Sequence, residues 1–533
     1  MSSLWGSKKD GNDETHQNGD QEEAESSRPA TGRQPDRRDP DERTRLLPPR
    51  NDGYLDPDDP AVSPYNLWSV RALRYFSILL LVISFLWWVV LLVSIFVSPP
   101  GLNTRGSGFF DFSYTTVTVA NLLIAILFFS IPSKAMEIAS FVIAGLLLID
   151  MIIIVSVARL RAEEGWVGIA SVVWAALIAL YNVITDRVVA WGKKEEEERL
   201  TGRKETRRTL REWCAVITSA VIYVMVVLVV ILLTCTLILR TRDASLSPPG
   251  KRYFVDGDKY QVHLDCVGKV TDKSDGKRNP TILVESGEMP FEDTFDDFIY
   301  AAYQNGTIPR YCYWDRPGMA WSDTAPSPHS AGMSVDALSE ALARASEEGP
   351  WILVSAGIGS IYSRIFAARH PHDIQGLFLI DGMHEDLLYQ VGAPSRGFVL
   401  WARGIISPLG WDRLPAALFK GRTREDRVYG KSSYQGGKFI KYQLQESLVA
   451  NSLTKSEVSQ ARNILSRKVP LVVISSGINV RKNTEWEKKQ KDLTTLTDNL
   501  LDWTVIQGAP HEVWQTYEGR RTMEKWLGKL FNA

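Results

Sequence analysis

Apolar residues are spread unevenly along the chain. Five long apolar runs stand between residues 76 and 239: Phe76–Val97, Thr115–Ile131, Ile138–Val157, Val167–Ile184 and Ala215–Leu239. About 20 apolar residues in a helix cross the roughly 30 Å of bilayer hydrocarbon. The first and fifth runs, 22 and 25 residues long, hold no charge, which argues against helices buried in a soluble core. The third carries Asp150. A carboxylate at that depth is costly and calls for a partner. Asn121 and Asn182 are the candidates, with interhelical hydrogen bonding the expected role. Beyond residue 250 the pattern changes. Tyr260–Cys266 alternates apolar and polar, and Thr281–Val284, Tyr311–Trp314, Trp351–Ser355, Gly376–Ile380, Leu471–Ser475 and Trp503–Ile506 are short apolar runs. Segments of helical pattern, such as Ser334–Glu348 and Ile361–Arg369, separate most of them. The alternation predicts βαβ crossovers and a mostly parallel sheet, with ligands bound beyond the carboxyl ends of its strands.

Composition alone hides this division. The 533 residues include 61 Lys/Arg against 62 Asp/Glu, with 45% hydrophobic and 23% charged residues. Mean hydropathy is −0.11, as in an ordinary soluble protein. These values exclude a collagen and a strongly basic nucleic-acid binder, and four Cys exclude a disulfide-dense scaffold. The average conceals three unlike pieces: a tail over 1–65, a membrane region of about five helices over 66–242, and an α/β domain over 250–533. Residues 1–60 hold 15 Asp/Glu, 9 Lys/Arg and two aromatics. That composition predicts disorder, and without an apolar run after its basic residues the tail does not read as a cleaved signal peptide.

Charge placement predicts the topology. The loop between the fourth and fifth runs carries nine basic residues: Arg187, Lys193, Lys194, Arg199, Arg203, Lys204, Arg207, Arg208 and Arg211. Arg71 and Arg74 precede the first run, whereas residues 98–114 hold only Arg105. Basic loops stay cytosolic, so the N-terminus is expected in the cytosol and the C-terminal domain in a lumen. Arg159 and Arg161 run against this rule. Asn305-Gly306-Thr307 is an N-glycosylation sequon that a lumenal domain could use. Glu42-Arg-Thr-Arg-Leu46-Leu47 resembles an acidic dileucine signal, read by cytosolic adaptor complexes, of the kind that sends fungal membrane proteins to the vacuole. The expected location is therefore an endomembrane, the vacuolar membrane first and a mitochondrial membrane second.

The turns at the strand ends resemble the α/β-hydrolase family. Pro280-Thr-Ile-Leu-Val-Glu-Ser-Gly287 is similar to the strand and turn that supply an oxyanion N–H. Tyr311-Cys-Tyr-Trp-Asp-Arg-Pro-Gly-Met-Ala-Trp-Ser-Asp323 is similar to that family's YDRxGxGxSD turn. Ile352-Leu-Val-Ser-Ala-Gly-Ile-Gly-Ser360 stands where the nucleophile elbow belongs, Tyr362–Pro371 resembles the helix after it, and Gly376–Asp386 resembles the next strand and its acidic turn. Gly508-Ala-Pro-His511 takes the place of the catalytic histidine. The resemblance implies an α/β-hydrolase fold over 250–533, a mostly parallel sheet flanked by helices, with a helical cap at about 387–465. The cap's Leu-, Phe- and Trp-rich segments Phe398–Ile406 and Leu409–Phe419 are expected to roof a pocket or to touch lipid. The whole layout resembles a family of fungal integral membrane proteins of unknown function that join a multi-span region to such a domain.

The elbow departs from its pattern. G-x-S-x-G lifts a serine hydroxyl toward the histidine, but this chain reads Ser355-Ala-Gly357-Ile358-Gly359. Gly357 has no side chain with which to attack a carbonyl. In the oxyanion region, Gly287, Glu288 and Ile358 stand where backbone donors are wanted. Glu288 would repel a developing oxyanion, and Pro290 has no N–H to offer. His511 and Asp381 remain as triad-like residues, with Asp386 the second acid candidate. The resulting expectation is a membrane-anchored pseudoenzyme binding a ligand or partner. The alternatives are a hydrolase acting on an ester or lipid through His511, Asp381 and water, and a membrane scaffold or transport component. The expected partners are the lipid bilayer, a lipid or ester ligand and the adaptor complex, with no nucleic acid, metal or cofactor. Cys266 and Cys312 fall in strands that the family sets side by side; they are expected as free buried thiols, with a disulfide the alternative.

Overall fold

A computed structural model describes residues 62–102, 104–202, 209–272, 276 and 278–532. The dileucine residues Glu42, Leu46 and Leu47 lie outside the described residues, as do Arg203, Lys204, Arg207 and Arg208 of the basic loop.

The apolar runs form five helices, α1 (Trp68–Phe96), α2 (Phe109–Leu127), α3 (Lys134–Ser156), α4 (Ala158–Thr201) and α5 (Leu210–Ala244). Each is long and apolar enough to cross a membrane. The helices outrun the apolar stretches because polar residues at the ends still satisfy the helical ladder. Ser133 caps α3 by accepting from the Met136 N–H, and Thr209 and Glu212 form a reciprocal capping box on α5. Gly165 breaks α4 near its start, with φ +61° and ψ −162°. Asp150 is buried and accepts a hydrogen bond from the Tyr114 hydroxyl at 3.2 Å. The expected partners, Asn121 and Asn182, instead meet each other, side-chain amide to backbone carbonyl at 3.5 Å. Tyr114 wins because α2 begins earlier than its apolar run and brings a long phenol to the level of Asp150.

Eight strands follow: β1 (Lys251–Val255), β2 (Tyr260–Gly268), β3 (Thr281–Glu285), β4 (Arg310–Asp315), β5 (Trp351–Ala356), β6 (Ile374–Ile380), β7 (Leu471–Ser476) and β8 (Leu500–Ile506). They form one sheet in the order β1-β2-β4-β3-β5-β6-β7-β8. β1 pairs with β2, and β2 with β4, antiparallel; all other pairs are parallel. Helices cover both faces, and the two apolar layers of the core lie on either side of the central strands. The fold is that of an α/β hydrolase behind a helical membrane region.

Antiparallel pairing sets Cys266 directly opposite Cys312, with Cα atoms 4.0 Å apart. The two are joined as a disulfide, which corrects the expectation of free thiols: neighbouring strands place the two Cβ atoms within bonding reach.

The segment between β6 and β7 forms the cap, with helices at Pro394–Ile406, Arg413–Phe419, Arg424–Val428, Gly437–Val449 and Lys455–Ile464. Much of it packs against the membrane helices. Leu400, Trp401 and Ile405 share an apolar cluster with Leu91, Ile95, Phe109 and Phe112 of α1 and α2. Gly404 makes the contact possible, since a Cβ there would collide with the Phe109 ring. Further along, Asp243 at the end of α5 holds two cap arginines, Arg413 through Nη2 and Arg427 through paired contacts of 2.6 and 3.1 Å. Arg159, which opposed the expected charge pattern, pairs with Asp323 of the α/β domain at 2.7 Å and with Glu163 at 3.0 Å.

Candidate functional site

β5 ends at Ala356, and a helix begins at Gly359 (Gly359–Arg369). Between them Gly357 turns the chain with φ +47°, the left-handed conformation that the strained elbow turn requires. Gly359 lets this turn press on the chain after β3, because a Cβ there would strike the Ser286 carbonyl. The elbow backbone is present without its nucleophile. Ser355 is fully buried and Ser360 Oγ donates to the Gly357 carbonyl at 2.8 Å, so neither hydroxyl bonds to His511.

The space above Gly357 is filled from a different strand. Glu288, on the loop after β3, lays its carboxylate over the elbow. Its Oε1 accepts the Ile358 N–H at 3.2 Å, and its Oε2 lies 3.0 Å from His511 Nε2. A Cβ placed on Gly357 would sit 2.6 and 2.7 Å from the two Glu288 oxygens and 2.8 Å from His511 Nε2. Glu288 thus takes the room of a nucleophile side chain and also the N–H that would face an oxyanion.

Behind His511 stands Asp381, one residue past β6. Its Oδ2 lies 2.7 Å from His511 Nδ1 and accepts from Asn479 Nδ2 at 2.7 Å; its Oδ1 accepts from the Ser476 N–H at 3.0 Å and Trp486 Nε1 at 2.9 Å. Those donors keep a fully buried carboxylate satisfied. Asp386, the second acid candidate, turns away to Lys489 at 2.7 Å. Gly287 points its carbonyl at the Arg316 guanidinium, so its role is to fix that arginine.

The row Glu288–His511–Asp381 has one electrostatic reading. Burial presses the His511 ring toward its neutral form, but the two carboxylates outweigh it and hold the pKa well above the usual 6.5. Desolvation would raise Glu288; the bond and charge of His511, with N–H donation from Glu288 itself and Ile358, outweigh it and bring Glu288 below the usual 4.5. Both shifts favour the charged pair, an imidazolium held between two carboxylates. The sign of the pH dependence follows by linkage. A raised histidine stabilises fully below about 6.5 and loses that contribution as pH climbs through its folded value. A lowered glutamate stabilises above about 4.5 and loses it as pH falls through its folded value. Melting curves of the wild type and Glu288→Gln should differ most between pH 4.5 and 6.5, and the difference should shrink in alkali.

Two features of the site escaped the sequence reading. Arg316 is fully buried, lies 3.4 Å from Glu285 and stacks on Tyr362 at 4.4 Å. Its signal was the Asp-Arg-Pro-Gly turn itself, where two charges sit inside an otherwise apolar segment. Glu288 was visible as an acid in the wrong place, but its reach to the elbow was not. A cavity of about 300 Å³ opens beside the row, walled by Glu288, Met289, Phe295, Met383, His511 and Trp514. The one grouping of metal-type ligands among the described residues is Cys266, Cys312 and Glu347; its sulfurs are spent in the disulfide.

The sheet order and the elbow turn define the class: an α/β-hydrolase fold carried behind membrane helices. Residues 42–266 match a region of unknown function (DUF2417). The chain is 34% identical over 524 residues to an uncharacterised protein of Schizosaccharomyces pombe, spanning 92% of this chain and 96% of that one. It is 26% identical over 382 residues to an uncharacterised vacuolar membrane protein of Saccharomyces cerevisiae, spanning 61% of this chain and 59% of that one. Among solved structures, an alpha/beta hydrolase enzyme from a deep-sea metagenome library is similar at 15% identity and TM-score 0.40, over 53% of this chain and 98% of that one. The chain belongs to the fungal family that carries this region of unknown function.

Proposed function

We propose that the protein is a membrane-anchored pseudohydrolase whose α/β domain binds a ligand or partner instead of cleaving an ester. One observation carries this reading: the Glu288 carboxylate occupies the nucleophile's room, the elbow N–H and the histidine together. A fluorophosphonate serine-hydrolase probe should leave the purified full chain unlabelled. Labelling at any serine overturns the reading.

A second reading, hydrolysis by water activated through His511 and Asp381, draws on the cavity that reaches this row. It requires His511 to give up its proton. Its signature is an esterase activity that rises with pH and vanishes in His511→Ala; silence across a broad ester panel up to pH 10 rejects it.

In the same proposal the N-terminus is cytosolic and the α/β domain lumenal, in the membrane of the vacuole. The budding-yeast relative's description as a vacuolar membrane protein supports the location. The pairing of Arg159 with Asp323 supports the orientation, because it accounts for a basic residue on the lumenal side by docking. Asn305 is exposed at the end of the helix Asp296–Gln304. Endoglycosidase should shift the wild-type band and leave Asn305→Gln unmoved, and protease added to intact vesicles should spare the α/β domain; digestion of that domain reverses the topology. The exposed cap residues Phe398, Val399, Trp411, Leu418 and Phe419 are the lipid-facing rim in this arrangement.

A further inference from the structure

A second cavity, of about 110 Å³, lies where the membrane helices meet the α/β domain, and it shares no lining residue with the cavity at Glu288. Both halves of the chain build it. Six cations stand in its wall: Arg159 of α4, Arg240 of α5, Arg252 of β1, and Arg413, Arg427 and Lys438 of the cap. Two carboxylates, Glu163 and Asp243, face them in the wall, and Asp323 and Glu164 also pair with Arg159 and Arg240. Glu163 is shared among Arg159 at 3.0 Å, Arg240 at 2.8 Å and Lys438 at 3.5 Å, and Asp243 between Arg413 and Arg427. Arg252 has no ion-pair partner among the described residues, and its Nε is buried without a hydrogen bond.

The neutral groups agree with the charges. Thr236 Oγ1 and Ser433 Oγ, on residues 1% and 5% exposed, are likewise buried and unpartnered in the wall. All three unpartnered wall atoms can donate a hydrogen bond. A buried donor left unpaired is costly, and three of them in one wall with six cations suit one acceptor with several negatively charged oxygens. Burial above all, with the repulsion of Arg159 and Arg252, brings the Lys438 ammonium down to about 8 against the pull of Glu163 and Asp323.

We propose that this cavity binds a phosphate group, held by Arg252, Thr236 and Ser433 within the arginine cluster. Arginine's planar fork and the hydroxyl donors suit phosphate oxygens. A volume of about 110 Å³ has room for a phosphate-sized head. The site stands where α4 begins and α5 ends, the end of the membrane helices that meets the α/β domain. The phosphate therefore comes either from a lipid headgroup or from solution, and its binding would tie the helices to the domain.

The test uses the purified full chain in phosphatidylcholine nanodiscs. Binding and melting temperature are followed on titration with inorganic phosphate and, separately, with dioctanoyl phosphatidic acid. Saturable binding that raises the melting temperature is expected for at least one probe. Response to inorganic phosphate identifies a soluble anion, and response to phosphatidic acid alone identifies a headgroup. Arg252→Gln should weaken the binding about tenfold or more, the worth of a charge-assisted bond. Ser433→Ala, which removes a single oxygen and no existing bond, should weaken it severalfold and keeps the test open if the arginine variant folds poorly. Failure of both probes to saturate, or wild-type binding in Arg252→Gln and Ser433→Ala, overturns the proposal.

Discussion

Gly357→Ser, made alone, should not restore a hydrolase. The introduced Cβ would meet the Glu288 oxygens at 2.6 and 2.7 Å and His511 Nε2 at 2.8 Å, all closer than van der Waals contact. The variant should melt below the wild type and stay dark to the fluorophosphonate probe. Gly357→Ser combined with Glu288→Gly should behave differently. Removing the glutamate side chain opens the room, frees the Ile358 N–H, and takes one of two carboxylates away from His511, so the ring can accept a proton. Asp381 keeps its four hydrogen-bond contacts, and the turn at φ +47° is already that of an elbow. The double variant should label at the introduced serine. Adding His511→Ala should cut the labelling rate by ~10²–10⁴-fold, the usual share of a general base. Labelling of the single variant would mean that Glu288 does not hold the site. A dark double variant would mean that the loop after β3 no longer supplies the second donor.

The largest loss of stability is expected from Asp243→Ala. Asp243 ends α5, where a helix dipole disfavours an acid; its reason for being there is the pair of cap arginines it holds. Arg427 and Asp243 expose only 5% and 7% of their side chains. Removing the carboxylate leaves two guanidinium groups buried side by side, and breaking a buried pair by deleting one partner costs about 3–5 kcal/mol. The full chain in detergent should melt well below the wild type, and the cap should become sensitive to limited proteolysis between 407 and 436. An unchanged melting curve would show that apolar packing alone seats the cap.

What could be read ahead of the structure was what depends on neighbours in the chain. The five helices follow from runs of apolar residues, six of the eight strands follow from short apolar runs between turns, and β2 follows from its alternation. β1 escaped because Lys251 and Arg252 open it and it pairs on one side only. The elbow, Asp381 and His511 were found because strand-end motifs have fixed order and spacing. Glu288 is the instructive failure. It was read as an obstacle to an oxyanion, whereas it reaches from the β3 turn to the β5 turn and takes the nucleophile's place, a contact across 70 residues. Tyr114 on Asp150, the Cys266–Cys312 bond and the anchoring of the cap on α2 and α5 are of the same kind. Each depends on which elements lie side by side, and no local pattern encodes that.

The seat of the cap on the helices bears on how the two halves can be parted. The covalent link between α5 and β1 is short, residues 245–250, and cutting it would not release the α/β half, because Gly404 still lodges the Phe109 ring and Asp243 still grips Arg413 and Arg427. A fragment starting at residue 250 would come away with Leu400, Trp401 and Ile405 stripped of their cover and with two arginines lacking their counter-charge. Such a fragment should self-associate in water, and the nicked full-length protein, held in detergent, should still migrate as one particle.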